Sequence, residues 1–117
     1  MQPVIPSSQE QIALKQPLQQ EIVDLFCKHG PGGWKMPTLE LRANMRHGFT
    51  KIELSARAFD MAGTGEVAGA PEEIMRVAAT YHALCNSFGQ GWNKCLLTLT
   101  LGEKGVVKCR NWSYTYP

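Results

Sequence analysis

The sequence has no apolar run approaching the roughly 20 residues that a membrane-crossing helix needs, so no membrane partner is expected. Its first residues, MQPVIPSSQEQ, carry neither a basic n-region nor an apolar h-region, which argues against a secretory signal and for a cytoplasmic protein. Neither sign of charge is in excess: twelve Lys and Arg stand against ten Asp and Glu, a formal net charge of +2. Bulk charge therefore gives no reason to expect nucleic acid as a direct partner. Cysteines are few. Cys27, Cys85, Cys95 and Cys109 form no CxxC pair, and no histidine lies at zinc-finger spacing from them. Reduced thiols serving as small hydrophobes are expected, with no metal site and no cofactor. There is no repeat of fixed period and no low-complexity tract, which excludes solenoids and most disordered segments.

What remains is a chain of 117 residues, 44% hydrophobic and 19% charged, enough for one domain with one two-layer core. It reads as a helix followed by a hairpin, twice. The first helical pattern spans Ser8 to His29, with Leu18, Ile22, Leu25 and Phe26 on one stripe. Proline deep inside a helix costs about 3 kcal/mol. The main helix is therefore expected to open near Pro17, leaving residues 1–16 as a loosely attached arm. Leu39, Leu41, Ala43 and Met45 then alternate with Glu40, Arg42, Asn44 and Arg46; after a turn at His47 and Gly48, Ile52, Leu54, Ala56 and Ala58 alternate with Lys51, Glu53, Ser55 and Arg57. Both are strands with one wet face. A glycine-rich loop covers Asp60 to Gly69. Pro71 opens a second helix with the stripe Ile74, Val77, Ala78, Tyr81, Leu84, Cys85 and Phe88, and Gly89 and Gly91 stop it. The last hairpin sets Leu97, Leu99 and Leu101 inward. Counted by alternation, its return strand points Val107 and Cys109 inward and Lys108, Arg110, Trp112 and Tyr114 outward. The expected fold is α+β in the order α-β-β-α-β-β: a four-stranded antiparallel sheet with two helices on one face.

No set of residues forms a convincing catalytic constellation, and the chain is not expected to be an enzyme. His29, His47 and His82 sit in unrelated local contexts. A Cys–His nucleophile needs the two residues brought into contact; Cys85 and His82 lie one helical turn apart, a spacing that allows it, but Cys85 belongs to the apolar stripe. GTGEVAG lacks the spacing and the lysine of a phosphate-binding loop. Two interaction surfaces remain. Asp60, Glu66, Glu72 and Glu73 gather in the loop and the first turn of the second helix, where an acidic patch could receive a basic partner. On the outer sheet face, Arg42, Arg46, Lys51, Arg57, Lys108 and Arg110 are expected beside Trp112 and Tyr114. Basic residues interleaved with aromatics suit a protein interface or, as the alternative function, a small nucleic-acid-binding module.

The phrases GWNKCLLTLTL, GEKG and NWSYTY, with GGWKMPTLELRANMRHG upstream, resemble those of YezG-like immunity proteins over about Glu21 to Tyr116. These are cognate antitoxins of bacterial polymorphic and contact-dependent growth-inhibition toxins. The resemblance implies the helix–hairpin–helix–hairpin layout already read. It also implies a cytoplasmic protein that binds and neutralises the C-terminal domain of a toxin, often a nuclease, by stoichiometric occlusion. The candidate toxin-binding residues are Asp60, Glu66, Glu72, Glu73, Arg110, Trp112 and Tyr114. Members of that family are often acidic; this chain is slightly basic.

Overall fold

The computed structural model describes residues 7–29, 34–46, 51–61, 63, 67–103 and 106–116, and side chains at 45, 46, 51, 52, 67 and 68 are not described. Helix α1 (Ser8–His29) is followed by strands β1 (Pro37–Arg46), β2 (Lys51–Asp60) and β3 (Val67–Gly69). Helix α2 (Glu72–Ser87) and strands β4 (Lys94–Leu101) and β5 (Val107–Thr115) complete the order. The strands form one antiparallel sheet, β3-β2-β1-β4-β5. The α+β class and the α-β-β-α-β-β layout expected from the sequence are present. The difference is β3, three residues of the glycine-rich segment that pair with Arg57–Phe59 at the edge of β2. The turn at His47 and Gly48 lies outside the described residues.

Helix α1 starts where its first backbone donors find acceptors. Ser7 Oγ accepts from the Glu10 N–H at 3.3 Å, and the Ser7 carbonyl accepts from Gln11 at 2.9 Å. Ser7 with Glu10 three residues on is the sequence form of a capping box. The helix then runs unbroken through Pro17, which corrects the expectation that it opens there. The reason is tertiary. The first half of α1 is tied to the far end of α2: Lys15 Nζ donates to Gln90 Oε1 at 2.5 Å, and Gln90 Nε2 donates to Gln11 Oε1 at 3.2 Å. Lys15 also sits over the Phe88 ring, 5.9 Å from its centroid. These contacts offset the backbone bond that proline cannot make.

At its other end α1 meets the start of α2, where His29 Nε2 lies 3.5 Å from Glu73 Oε2, so the two helices are antiparallel. Helix α2 ends on Gly89, whose φ of +75° suits a residue without a Cβ. The Gly89 N–H donates to Asn86 O and the Gln90 N–H to Cys85 O, the paired bonds of a Schellman motif.

The core lies between the helices and one face of the sheet. Ile22, Val23 and Phe26 from α1 and Ile74, Ala78, Tyr81 and Cys85 from α2 meet Leu39, Leu41 and Ala43 of β1, Ala58 of β2 and Cys95, Leu97 and Leu99 of β4. Trp34 and Trp92, from the segments leading into β1 and β4, close it. The inward side of β4 is the one that alternation indicates.

Leu99 is 1% exposed, so Leu99→Ala should cost about 2–5 kcal/mol in chemical denaturation. A loss below about 1 kcal/mol would contradict its place in the core. Pro17→Ala tests the unbroken helix. Restoring the helical bond is worth up to about 3 kcal/mol, less about 1 kcal/mol of regained freedom in the unfolded chain. The variant should be more stable by about 1–2 kcal/mol. No gain would mean that the helix starts at Pro17 after all.

Candidate interaction surfaces

The described acidic candidates do not form one patch. Asp60 is buried at the end of β2. Its carboxylate accepts from the Met36 N–H at 3.0 Å and the Lys35 N–H at 3.3 Å, fastening the approach to β1. It is thus a structural residue, not part of an exposed docking surface. Glu72 and Glu73 are exposed in the first turn of α2, where the helix dipole favours them, Glu72 beside Arg76 at 3.4 Å and Glu73 beside His29. Glu66 lies outside the described residues.

The aromatic candidates lie on the opposite side of the sheet from the one expected. Leu101 pairs with Val107 but Thr100 pairs with Cys109, so Lys108 is an extra residue in β5. A bulge of this kind reverses which residues face the core beyond it. Arg110, Trp112 and Tyr114 stand opposite Leu99, Leu97 and Cys95, on the helix-covered face, while Cys109 is exposed. Trp112 reaches Tyr81, with ring centroids 5.8 Å apart, and stacks on Tyr114 at 6.4 Å. The Tyr81 and Tyr114 hydroxyls are hydrogen-bonded to each other, and Gln19 Nε2 donates to both, at 2.9 and 3.2 Å. Burial raises both phenols above the usual tyrosine range. Arg110 Nη1 donates to Gln20 Oε1 at 2.6 Å. Between β5 and α1 an open cleft of about 640 Å³ is lined by Ala13, Gln16, Pro17, Gln20, Arg110 and Trp112.

The thiols and the buried histidine have structural surroundings. All four cysteines are free; Cys85 and Cys95 are buried, whereas Cys27, like Cys109, is exposed and not the core thiol expected of it. Burial raises the Cys95 thiol, and burial with the nearby Asp24 carboxylate raises Cys27. Neither is activated toward thiolate. His82 packs edge-on against Trp92, with centroids 4.6 Å apart, and its Nε2 lies 2.9 Å from the Trp92 carbonyl. A carbonyl only accepts, so Nε2 carries the proton and the ring fastens the segment leading into β4.

The second face of the sheet carries neither helix, and at its middle stands a charged cluster that alternation alone did not single out. Glu40 pairs across β1–β2 with Arg57 and across β1–β4 with Leu96. It is 5% exposed. Arg57 binds it as a fork, Nε to Oε1 at 3.0 Å and Nη2 to Oε2 at 3.2 Å. Arg42, two residues along β1, donates Nε to the same Oε1 at 2.7 Å. Burial by itself would raise the carboxyl, but the hydrogen bonds and charges of Arg57 and Arg42 outweigh it and hold Glu40 below its ordinary range. Arg57 also lies over Phe59, 5.6 Å from the ring centroid. The guanidinium groups stay about half exposed, at 53% for Arg42 and 52% for Arg57. A shallow depression of about 330 Å³ runs between them and Ser55. One signal was present in the sequence: Glu40, Arg42 and Arg57 all occupy wet-face positions of a single predicted hairpin. The side chains of Arg46 and Lys51, also expected here, lie outside the described residues.

Because the folded-state pKa of Glu40 is lowered, its stabilising effect is fully present above the unfolded carboxyl value and is lost as pH falls through the folded one. Glu40→Gln should cost about 1–3 kcal/mol at pH 7. In denaturation across pH, the gap between wild type and variant should close as the solution is acidified below the ordinary carboxylate range. A gap that stays constant to low pH would mean that Glu40 contributes no charge interaction.

No protein-family model matches this chain, and no curated protein matches it.

Proposed function

We propose that this chain is an immunity protein, acting in the cytoplasm, that binds a cognate bacterial toxin domain and blocks it stoichiometrically. The observation that carries the reading is the sheet face that neither helix covers, with its hydrogen-bonded cluster. Two half-exposed arginines are held in place by a buried carboxylate on paired strands. Preformed arginine on a stiff scaffold is the kind of group that anchors protein interfaces, because little side-chain freedom is left to lose on binding. The resemblance in the helix–hairpin phrases supports the same conclusion and supplies the class of partner, with a nuclease domain as the leading candidate. Occlusion by such a face requires no catalytic group of the inhibitor.

The alternative, a small nucleic-acid-binding module, has less support than its sequence pattern suggested. It drew on basic residues interleaved with Trp112 and Tyr114, and both aromatics belong to the helix-covered side, where they pack against Tyr81 and each other. Among the described residues, stacking of bases on this face would fall to Phe59, which Arg57 already overlies.

If the gene upstream encodes a toxin, as the reading requires, co-expression with that toxin's C-terminal fragment should rescue growth, and purified protein should bind the fragment one to one in calorimetry. Arg57→Glu should weaken binding at least tenfold and abolish rescue, with Glu72→Lys and Glu73→Lys having the smaller effect. Rescue unaffected by Arg57→Glu but lost on Glu72→Lys would move the interface to the start of α2. Failure of the unmodified protein to bind or rescue would end the immunity reading.

A further inference from the structure

The Glu40 cluster has more cation than its own packing requires. A buried carboxylate needs hydrogen bonds and a counter-charge, and the fork from Arg57 supplies both: each Glu40 oxygen accepts one bond from it. Arg42 adds a third bond to an oxygen already engaged. In doing so it brings a second guanidinium within a few ångström of the first, and like charges that close repel. Counted over the three hydrogen-bonded groups, two cations meet one anion; Glu53, two residues from Ser55 on the same face, is the next carboxylate along β2 and has an interaction of its own. The two guanidinium groups cannot shed charge by titration at any ordinary pH.

The geometry follows from the register. Arg57 is directly opposite Glu40, and Arg42 is directly opposite Ser55, two residues before Arg57. The arginines are therefore diagonal neighbours on one face, a distance that long side chains span. Their common oxygen, Glu40 Oε1, draws both Nε atoms inward. Of five donors on a guanidinium, the bonds to Glu40 use two on Arg57 and one on Arg42. The half-exposed depression between them has the exposed Ser55 at its rim, a further hydroxyl donor.

We propose that Arg42 and Arg57, set by Glu40 and rimmed by Ser55, are a receptor site for one carboxylate of an acidic partner protein. A carboxylate carries the single negative charge that balances the three hydrogen-bonded groups, and its two oxygens suit arginine donors. A phosphate chain fits less well. Glu40 forms the floor and repels a second negative charge, and affinity for nucleic acid needs several phosphate contacts together. This inference rests on the immunity reading and gives its partner a chemistry: the toxin surface that meets the bare face presents Asp or Glu, not the basic groups with which a nuclease holds its substrate.

The test uses the isolated full chain. Arginine Nε–Hε resonances are followed by NMR while sodium acetate replaces sodium chloride at constant ionic strength. Acetate should shift the Arg42 and Arg57 signals along saturable curves and leave Arg76, an exposed arginine paired with a single carboxylate, unmoved. In Arg42→Gln the Arg57 shift should fall to less than half. If that variant does not fold, the wild-type titration decides alone. Inorganic phosphate and a single-stranded oligothymidine are run as separate arms. Linear shifts, or shifts equal to those of Arg76, overturn the proposal. So does saturation by the oligonucleotide without acetate binding, which would favour the nucleic-acid module. Because no toxin enters this experiment, the two readings fail separately. Acetate binding without growth rescue removes the immunity role and leaves the site standing. Rescue without acetate binding removes the site alone.

Discussion

The pairing of β1 with β4 joins two halves that are otherwise local in sequence. Each half is a helix with a hairpin: α1 with β1 and β2, α2 with β4 and β5. Thr38 to Arg42 pair antiparallel with Lys94 to Thr98, across a loop whose closure costs entropy before any contact repays it. What repays it is the core on one side of the seam, where Leu39, Leu41, Cys95 and Leu97 are essentially fully buried beneath both helices. On the other side Thr38 and Thr98 face each other with hydroxyls 3.3 Å apart, and Glu40 pairs with Leu96. A slip of one residue here would turn leucines to solvent and Glu40 into the core. The register is therefore held from both faces at once.

That register also explains the charged cluster. Glu40 lies in the middle strand of five, where neighbouring strands shield a short side chain from water on the bare face. A carboxylate in that position has to be paired, and cross-strand neighbours are the groups within reach. Arg57 follows from this need. Arg42 exceeds it, and the excess is what separates a surface ion pair from a surface poised for an anion.

The bulge at Lys108 is the second decisive feature. Without it the alternation begun at Val107 would send Cys109, Asn111 and Ser113 under the helices, polar groups with few partners there. With it, Trp112 and Tyr114 close the core beside Tyr81, and Gln19 satisfies both tyrosine hydroxyls. One inserted residue exchanges a polar row for an aromatic one. The edge strand gains a reason to stay attached, and the bare face loses the aromatics that a stacking surface would need.

Periodicity alone determined much of this protein. The helix stripes, the two hairpins, the inward leucines of β4 and the α+β class all follow from spacings within a few residues, because burying one face imposes its period on each segment. Tertiary structure decided what depends on residues far apart. Pro17 stays helical because Gln90 and Phe88 hold the turns around it. Asp60 is structural because the backbone of Lys35 and Met36 arrives beside it. The aromatics of β5 face inward because a bulge, invisible to counting, shifts their phase. Glu40, Arg42 and Arg57 were readable as wet-face residues of one hairpin. That both arginines converge on one oxygen of a buried carboxylate depends on strand register and on β4 shielding the other flank, and no spacing along the chain encodes that.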